Sequence, residues 1–199
     1  MATIPVVHGA AEEQEWRLPS KGMVGMISLI IGESALFTIF VIAYIFYMGK
    51  SLTGPQPSQV LDIPVVMTIC LWSSSVTIWI AERAIERGAM KVFTAFWGLT
   101  ILLGAIFLGG TANEWHRLIY HDGLTISTNL FGTTFYSLVG LHASHVIVGL
   151  VMLFVVFVLS LFGHVKPHHA HNIKTLALYW HFVDAIWVVV FTVVYLVGR

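Results

Sequence analysis

The sequence predicts an all-α membrane protein with five transmembrane helices, and three observations carry that prediction. Hydrophobic residues make up 57% of the 199 positions and charged residues only 10%, against about 25% charged in soluble domains. Mean hydropathy is +0.85. Five apolar runs are each long enough to cross a bilayer, which takes ~20 residues as a helix. The runs are unbroken rather than alternating, which favours helices over the strands of a closed barrel.

The elements follow in order. Residues 1–22 are polar and acidic, with Glu12, Glu13 and Glu15 and no apolar core, so no cleaved signal peptide is expected. The first span runs from Met23 to Met48 and holds one charged residue, Glu33. A linker with turn chemistry follows, Gly54-Pro55-Gln56-Pro57-Ser58. The second span runs from Ile63 to Ala81, and Glu82, Arg83, Glu86 and Arg87 read as a charged loop after it. The third runs from Val92 to Asn113, closed by Glu114 and Trp115. The fourth lies between Phe131 and Phe162, long enough to tilt or protrude. The fifth runs from Thr175 to Gly198. Residues 23–199 thus read as a single five-helix transmembrane domain behind a short cytoplasmic segment.

Orientation comes from Lys and Arg in short loops. Arg17, Lys21, Arg83, Arg87, Lys91, Lys166 and Lys174 fall on one side; Lys50, Arg117 and Arg199 fall on the other. Seven against three places the amino terminus in the cytoplasm and the carboxyl terminus outside. The zero formal net charge speaks against nucleic acid as a partner. Cys70 is the only cysteine, which excludes a disulfide framework and a c-type haem attachment motif. No internal repeat supports an inverted-repeat transporter.

Ionisable residues at membrane depth mark functional candidates. Glu33 lies about ten residues into the first span, as a proton-handling or partner-contacting group or as an acid hydrogen-bonded between helices. His142 and His145 share one face of the fourth helix, and His181 and Asp184 one face of the fifth. Four polar groups could therefore meet between those two helices. An intramembrane histidine is more often an interhelical hydrogen-bonding group than a ligand, yet His142 or His145 against His181 offers the count for a bis-His haem. Glu114 reads as a boundary charge beside an interfacial Trp115. The histidine-rich stretch Gly163 to His171 reads as a solvated loop, although such tracts can bind metal.

Taken together these segments resemble subunit III of the haem–copper terminal oxidases, the cytochrome c oxidases and bo-type quinol oxidases, in a short five-helix form. The strongest piece is Tyr179-Trp180-His181-Phe182-Val183-Asp184 with Trp187, similar to the family's W-H-F-x-D-x-x-W. Next is Gly140-Leu141-His142-Ala143-Ser144-His145-Val146 ending in Gly149, similar to G-x-H-G-x-H-V-x-x-G. Ala143 and Ser144 depart from that pattern but remain small. Glu33 and the pair Glu114-Trp115 stand where the family has acidic residues in the corresponding helices.

The resemblance implies a subunit III-like bundle with a lipid-holding cleft. It implies no catalytic, cofactor-binding or metal-binding residue in this chain, with haem and copper in a partner subunit I and phospholipid bound here. Glu33, Glu114, His142, His145, His181 and Asp184 become buried polar groups of structural or functional weight, and Gly140, Gly149, Trp180 and Trp187 a helix-packing motif. The implied role is an accessory one in a proton-pumping oxidase that reduces oxygen to water. The chain would stabilise subunit I, bind lipid, and support proton uptake and sustained turnover. Implied partners are subunit I directly, subunit II, small subunits or a respiratory supercomplex, and membrane lipids, in a bacterial inner membrane. Three alternatives stay open: a related accessory subunit of a nitric oxide reductase system, a small bis-His membrane cytochrome, and a proton-coupled transporter using Glu33 and Asp184.

Overall fold

Inside a bilayer each span must satisfy its own backbone N–H and C=O groups, so an apolar run becomes a helix. The computed structural model describes residues 20–51 and 53–198, and within them five helices are long and apolar enough to cross a membrane. Most of the expected polar amino-terminal segment lies outside the described residues, as do Arg17 and Arg199.

α1 spans Lys21–Tyr47, and Ser20 caps it by accepting a bond from the Met23 amide at 3.3 Å. A four-residue helix, α2 (Pro57–Val60), sits in the linker. α3 spans Val65–Glu86 and α4 Met90–Tyr120. Between them the chain reverses in three residues, through Gly88 at φ +71°, a backbone region open to glycine at little cost. α5 spans Leu130–Leu161, where Asn129 accepts from the Gly132 amide at 2.8 Å. A 3₁₀ turn, Pro167–His169, leads into α6, Ala170–Phe191, which continues as π-helix over Thr192–Val197.

The helices run past the apolar runs at three places. The charged stretch from Glu82 to Glu86 is the last turn of α3 rather than a loop. α4 continues through Glu114, Trp115 and Arg117 to Tyr120, so Glu114 does not end a helix. α6 begins at Ala170, inside the histidine-rich stretch. In each case a self-bonded helical backbone extends into the interface, where polar side chains reach water.

α3 and α4 pack along their length as a hairpin; α4 packs on α5, α5 on α6, and α6 back on α3. These four enclose the core, and α1 lies outside the ring against α5 and α6. Large aromatics fill the ring: Trp97, Trp180, Trp187, Phe93, Phe107 and Phe135 are fully buried. A buried indole needs an acceptor for its N–H. Trp97 donates to the Leu153 carbonyl at 2.9 Å, Trp180 to the Ser74 hydroxyl at 2.8 Å and Trp187 to the Thr68 hydroxyl at 3.2 Å. Glycines make room for them. A Cβ on Gly104 would stand 2.7 Å from Trp180 Cη2, and one on Gly149 2.9 Å from Trp180 Cε3.

The two ends of the bundle differ in charge. Where α1, α4 and α6 begin, the described residues are Lys21, Arg83, Arg87, Lys91, Lys166 and Lys174 against Glu82 and Glu86. The opposite end holds Lys50 and Arg117 against Asp62, Glu114 and Asp122.

Candidate functional site

The four polar groups that could meet between α5 and α6 do not; they are divided among three places. A shared helix face fixes which side chains point the same way, but not which neighbour they reach.

His145 reaches α1. Its Nε2 lies 3.0 Å from Glu33 Oε2, and its Nδ1 lies 2.8 Å from the Leu141 carbonyl one turn back. A carbonyl only accepts, so Nδ1–H donates to it. Nε2 then either accepts the proton of a carboxylic acid or, as imidazolium, donates to the carboxylate. In both forms the pair carries one proton between the two groups and no net charge, which lowers the cost of burial. Phe37 covers the His145 ring, with centroids 5.0 Å apart, and Tyr179 donates to the His145 carbonyl at 3.3 Å. An opening of about 250 Å³ beside the pair is lined by Met26, Leu29, Ser144 and Met152.

His142 is held in the core and is only 1% exposed. Its ring stacks on Trp187 at 5.1 Å and 27°, with Phe107 edge-on at 5.9 Å. Neither ring nitrogen has a hydrogen-bond partner. It packs as an aromatic.

His181 and Asp184 turn to α3. The Ser75 hydroxyl donates to Asp184 Oδ2, and His181 Nδ1 lies 3.2 Å from Ser75 Oγ. Ser75 has one proton and gives it to the carboxylate, so His181 Nδ1–H donates to Ser75. The order is His181 to Ser75 to Asp184. His181 Nε2 lies 3.7 Å from Glu82 Oε2. Ser75 was the partner missed in the sequence; the signal was Ser73-Ser74-Ser75 inside an otherwise apolar span.

Glu114 belongs to the opposite end. It accepts a bond from Tyr195 in the π-helical turn at 2.9 Å. It lines a cavity of about 160 Å³ with Asp62, Thr111, Asn113, Arg117 and Trp187. Arg117 pairs with Asp62 and donates to the Val60 carbonyl at 2.9 Å, tying the α2 linker to α4. Beside it Trp115 packs edge-on against Tyr136, and Gly140 faces Trp115, where a Cβ would make ordinary contact at 3.4 Å.

Among the described residues no three His, Cys, Asp or Glu side chains gather in a group able to hold a metal ion. The residues do not suit a bis-His haem either. His145 has both nitrogens engaged within the chain and His142 is enclosed by aromatic rings, so neither offers a ligand opposite His181. The arrangement can hold protons on paired groups and fasten helices together.

The family model described as cytochrome c oxidase subunit III matches residues 17–199. Cytochrome c oxidase subunit 3 of Bacillus sp. (strain PS3) is 34% identical over 192 residues, covering 95% of this chain and 92% of that protein. Cytochrome c oxidase subunit 3 of Corynebacterium diphtheriae is 39% identical, covering 90% and 89%. Cytochrome bo(3) ubiquinol oxidase subunit 3 of Pseudomonas aeruginosa is 33% identical, covering 85% and 81%.

Proposed function

This chain belongs to the cytochrome c oxidase subunit III family, and from that premise we propose that it is the non-catalytic third subunit of a proton-pumping respiratory haem–copper oxidase that reduces oxygen to water. The observation that carries the reading is the family match over residues 17–199. Supporting it, His145 is committed to hydrogen bonds with Glu33 and the Leu141 carbonyl, and His142 to aromatic packing. Haem and copper belong in this reading to subunit I, against which the chain packs, with subunit II as a further partner in the complex. The cationic end of the bundle faces the cytoplasm, and phospholipid fills the apolar openings between helices.

The Glu33–His145 pair is the group most suited to a supporting role. It sits beside an opening between α1 and α5 and joins its two groups by a hydrogen bond of 3.0 Å. In this reading it supports proton uptake and sustained turnover rather than electron transfer. Glu33→Ala is then expected to leave assembly intact, since an interhelical hydrogen bond in a membrane contributes only about 0.6 kcal/mol on average. Oxygen consumption by the variant should decline during turnover while the parent holds steady. A full, undiminished rate removes Glu33 from this role.

Purification of the tagged chain from its native membrane in mild detergent tests the assignment as a whole. Co-purification of a haem–copper subunit I and subunit II is the expected result, and recovery of the chain alone would overturn it. A nitric oxide reductase core in their place would move the chain to that system.

A further inference from the structure

Most outward surfaces of the bundle suit hydrocarbon. α1 exposes Ile27, Ile31, Ile39, Ile42 and Ile45; α5 exposes Val148, Val151, Phe154 and Leu159. The outward flank of α3 and α6 is different. Trp72 and Trp79 are 44% and 49% exposed on α3, on the same stripe as Ser75 and Glu82. Across from them α6 brings His181, Asp184 and Val188 to the same surface, around an open hollow of about 340 Å³. The His181 side chain is 35% exposed there.

Depth makes this patch costly against lipid. Ser75 is the eleventh of 22 residues in α3, so it sits near the middle of the span. Asp184 is ~21 Å along α6 from Ala170 at 1.5 Å per residue. Tryptophan facing lipid concentrates at the headgroup level, yet Trp72 stands only three residues from Ser75. Among the described residues neither exposed indole N–H has a hydrogen-bond acceptor, and the outer nitrogen of His181 has only the distant Glu82 carboxylate. Polar groups at this depth turn to a protein interior or to one another, and exposed tryptophans are favoured anchors at protein interfaces. The Glu33–His145 opening does not make the same demand, because its two polar groups satisfy each other.

We propose that the α3–α6 flank is the face on which this chain docks, against a transmembrane helix of subunit I that presents a hydrogen-bonding side chain at mid-depth to His181. The proposal rests on the accessory-subunit reading and adds to it which surface is used. Trp72 and Trp79 bracket the contact, and the hollow between Ser75 and Val188 receives the partner's side chain.

The test uses the complete oxidase in its own membrane, purified through a tag on this chain. A photo-reactive amino acid replaces Trp72 or Val188 in separate variants, and Ile42 on α1 as the comparison. Irradiation is expected to join the chain to subunit I from positions 72 and 188 and not from 42. Cross-links from position 42 alone, or only lipid adducts from 72 and 188 in an intact complex, would overturn the docking face. Absence of any oxidase subunit from the purification would instead overturn the accessory reading on which it rests. A second measurement does not depend on photochemistry. Ala185→Trp fills the hollow and is expected to cut co-purifying subunits about tenfold, the effect of overpacking a close contact, whereas Ile42→Trp leaves them unchanged. Equal recovery from both variants would also overturn the proposal.

Discussion

Two polar clusters lie at similar depth in this bundle and are finished in opposite ways. Glu33 and His145 come from α1 and α5 and complete each other, with Phe37 laid over the imidazole. Ser75, His181 and Asp184 come from α3 and α6, and although they are chained together they keep an edge open to the outside. The first cluster closes a joint within the chain. The second fastens two helices and still offers polar atoms outward. A buried polar group therefore reports two separate things: that it has a partner, and whether the partner set is complete.

Substitutions can break this contrast or sharpen it. Asp184→Leu should have the largest effect, because it removes the acceptor at the end of the His181–Ser75 chain and alters the open flank together. A loss of about 1.7 kcal/mol, the upper end for interhelical bonds in membranes, corresponds to more than tenfold less intact complex in a purification. Normal yield would show that the open cluster does not hold the helices. Ser75→Ala removes the middle of the chain and should cost about 1 kcal/mol, read as a lower melting temperature of the purified complex. Glu33→Gln keeps a hydrogen-bonding side chain against His145 and should stay within about 0.6 kcal/mol of the parent on the same measurement. His142→Phe should be the smallest. Replacing a buried group that has no hydrogen-bond partner with an apolar one of similar shape is nearly neutral, so both melting temperature and haem spectrum of the complex should be unchanged. A lost haem band in that variant would restore the cytochrome reading.

The sequence already made five apolar helices legible, because span length and composition are set by the bilayer itself. The ends were less so. Glu82 and the residues around His169 are polar and read as loop, and Glu114 as the close of a span, but helical backbone continues past all three. The family motifs singled out Trp180 and Gly149, and the structure presses one against the other. What spacing along one helix could not give was the neighbour. His142 and His145 share a face, yet one meets Trp187 and the other Glu33 because helix packing turns that face across a boundary. Tyr195 was not foreseen as the partner of Glu114, since a π-helical turn sets its angle.

The Glu33–His145 bond also has a consequence in time. Its two ends are 112 residues apart in the chain. At roughly 5–20 residues per second of synthesis, the carboxyl group is made about 6 to 22 s before the imidazole. During that interval α1 is to enter the bilayer carrying an acid whose unpaired cost at the helix centre is of order 2.5–3.5 kcal/mol. Its isoleucines and leucines must hold it there alone until α5 arrives. The aliphatic surface of the first helix is thus a requirement of biogenesis as much as of the finished protein.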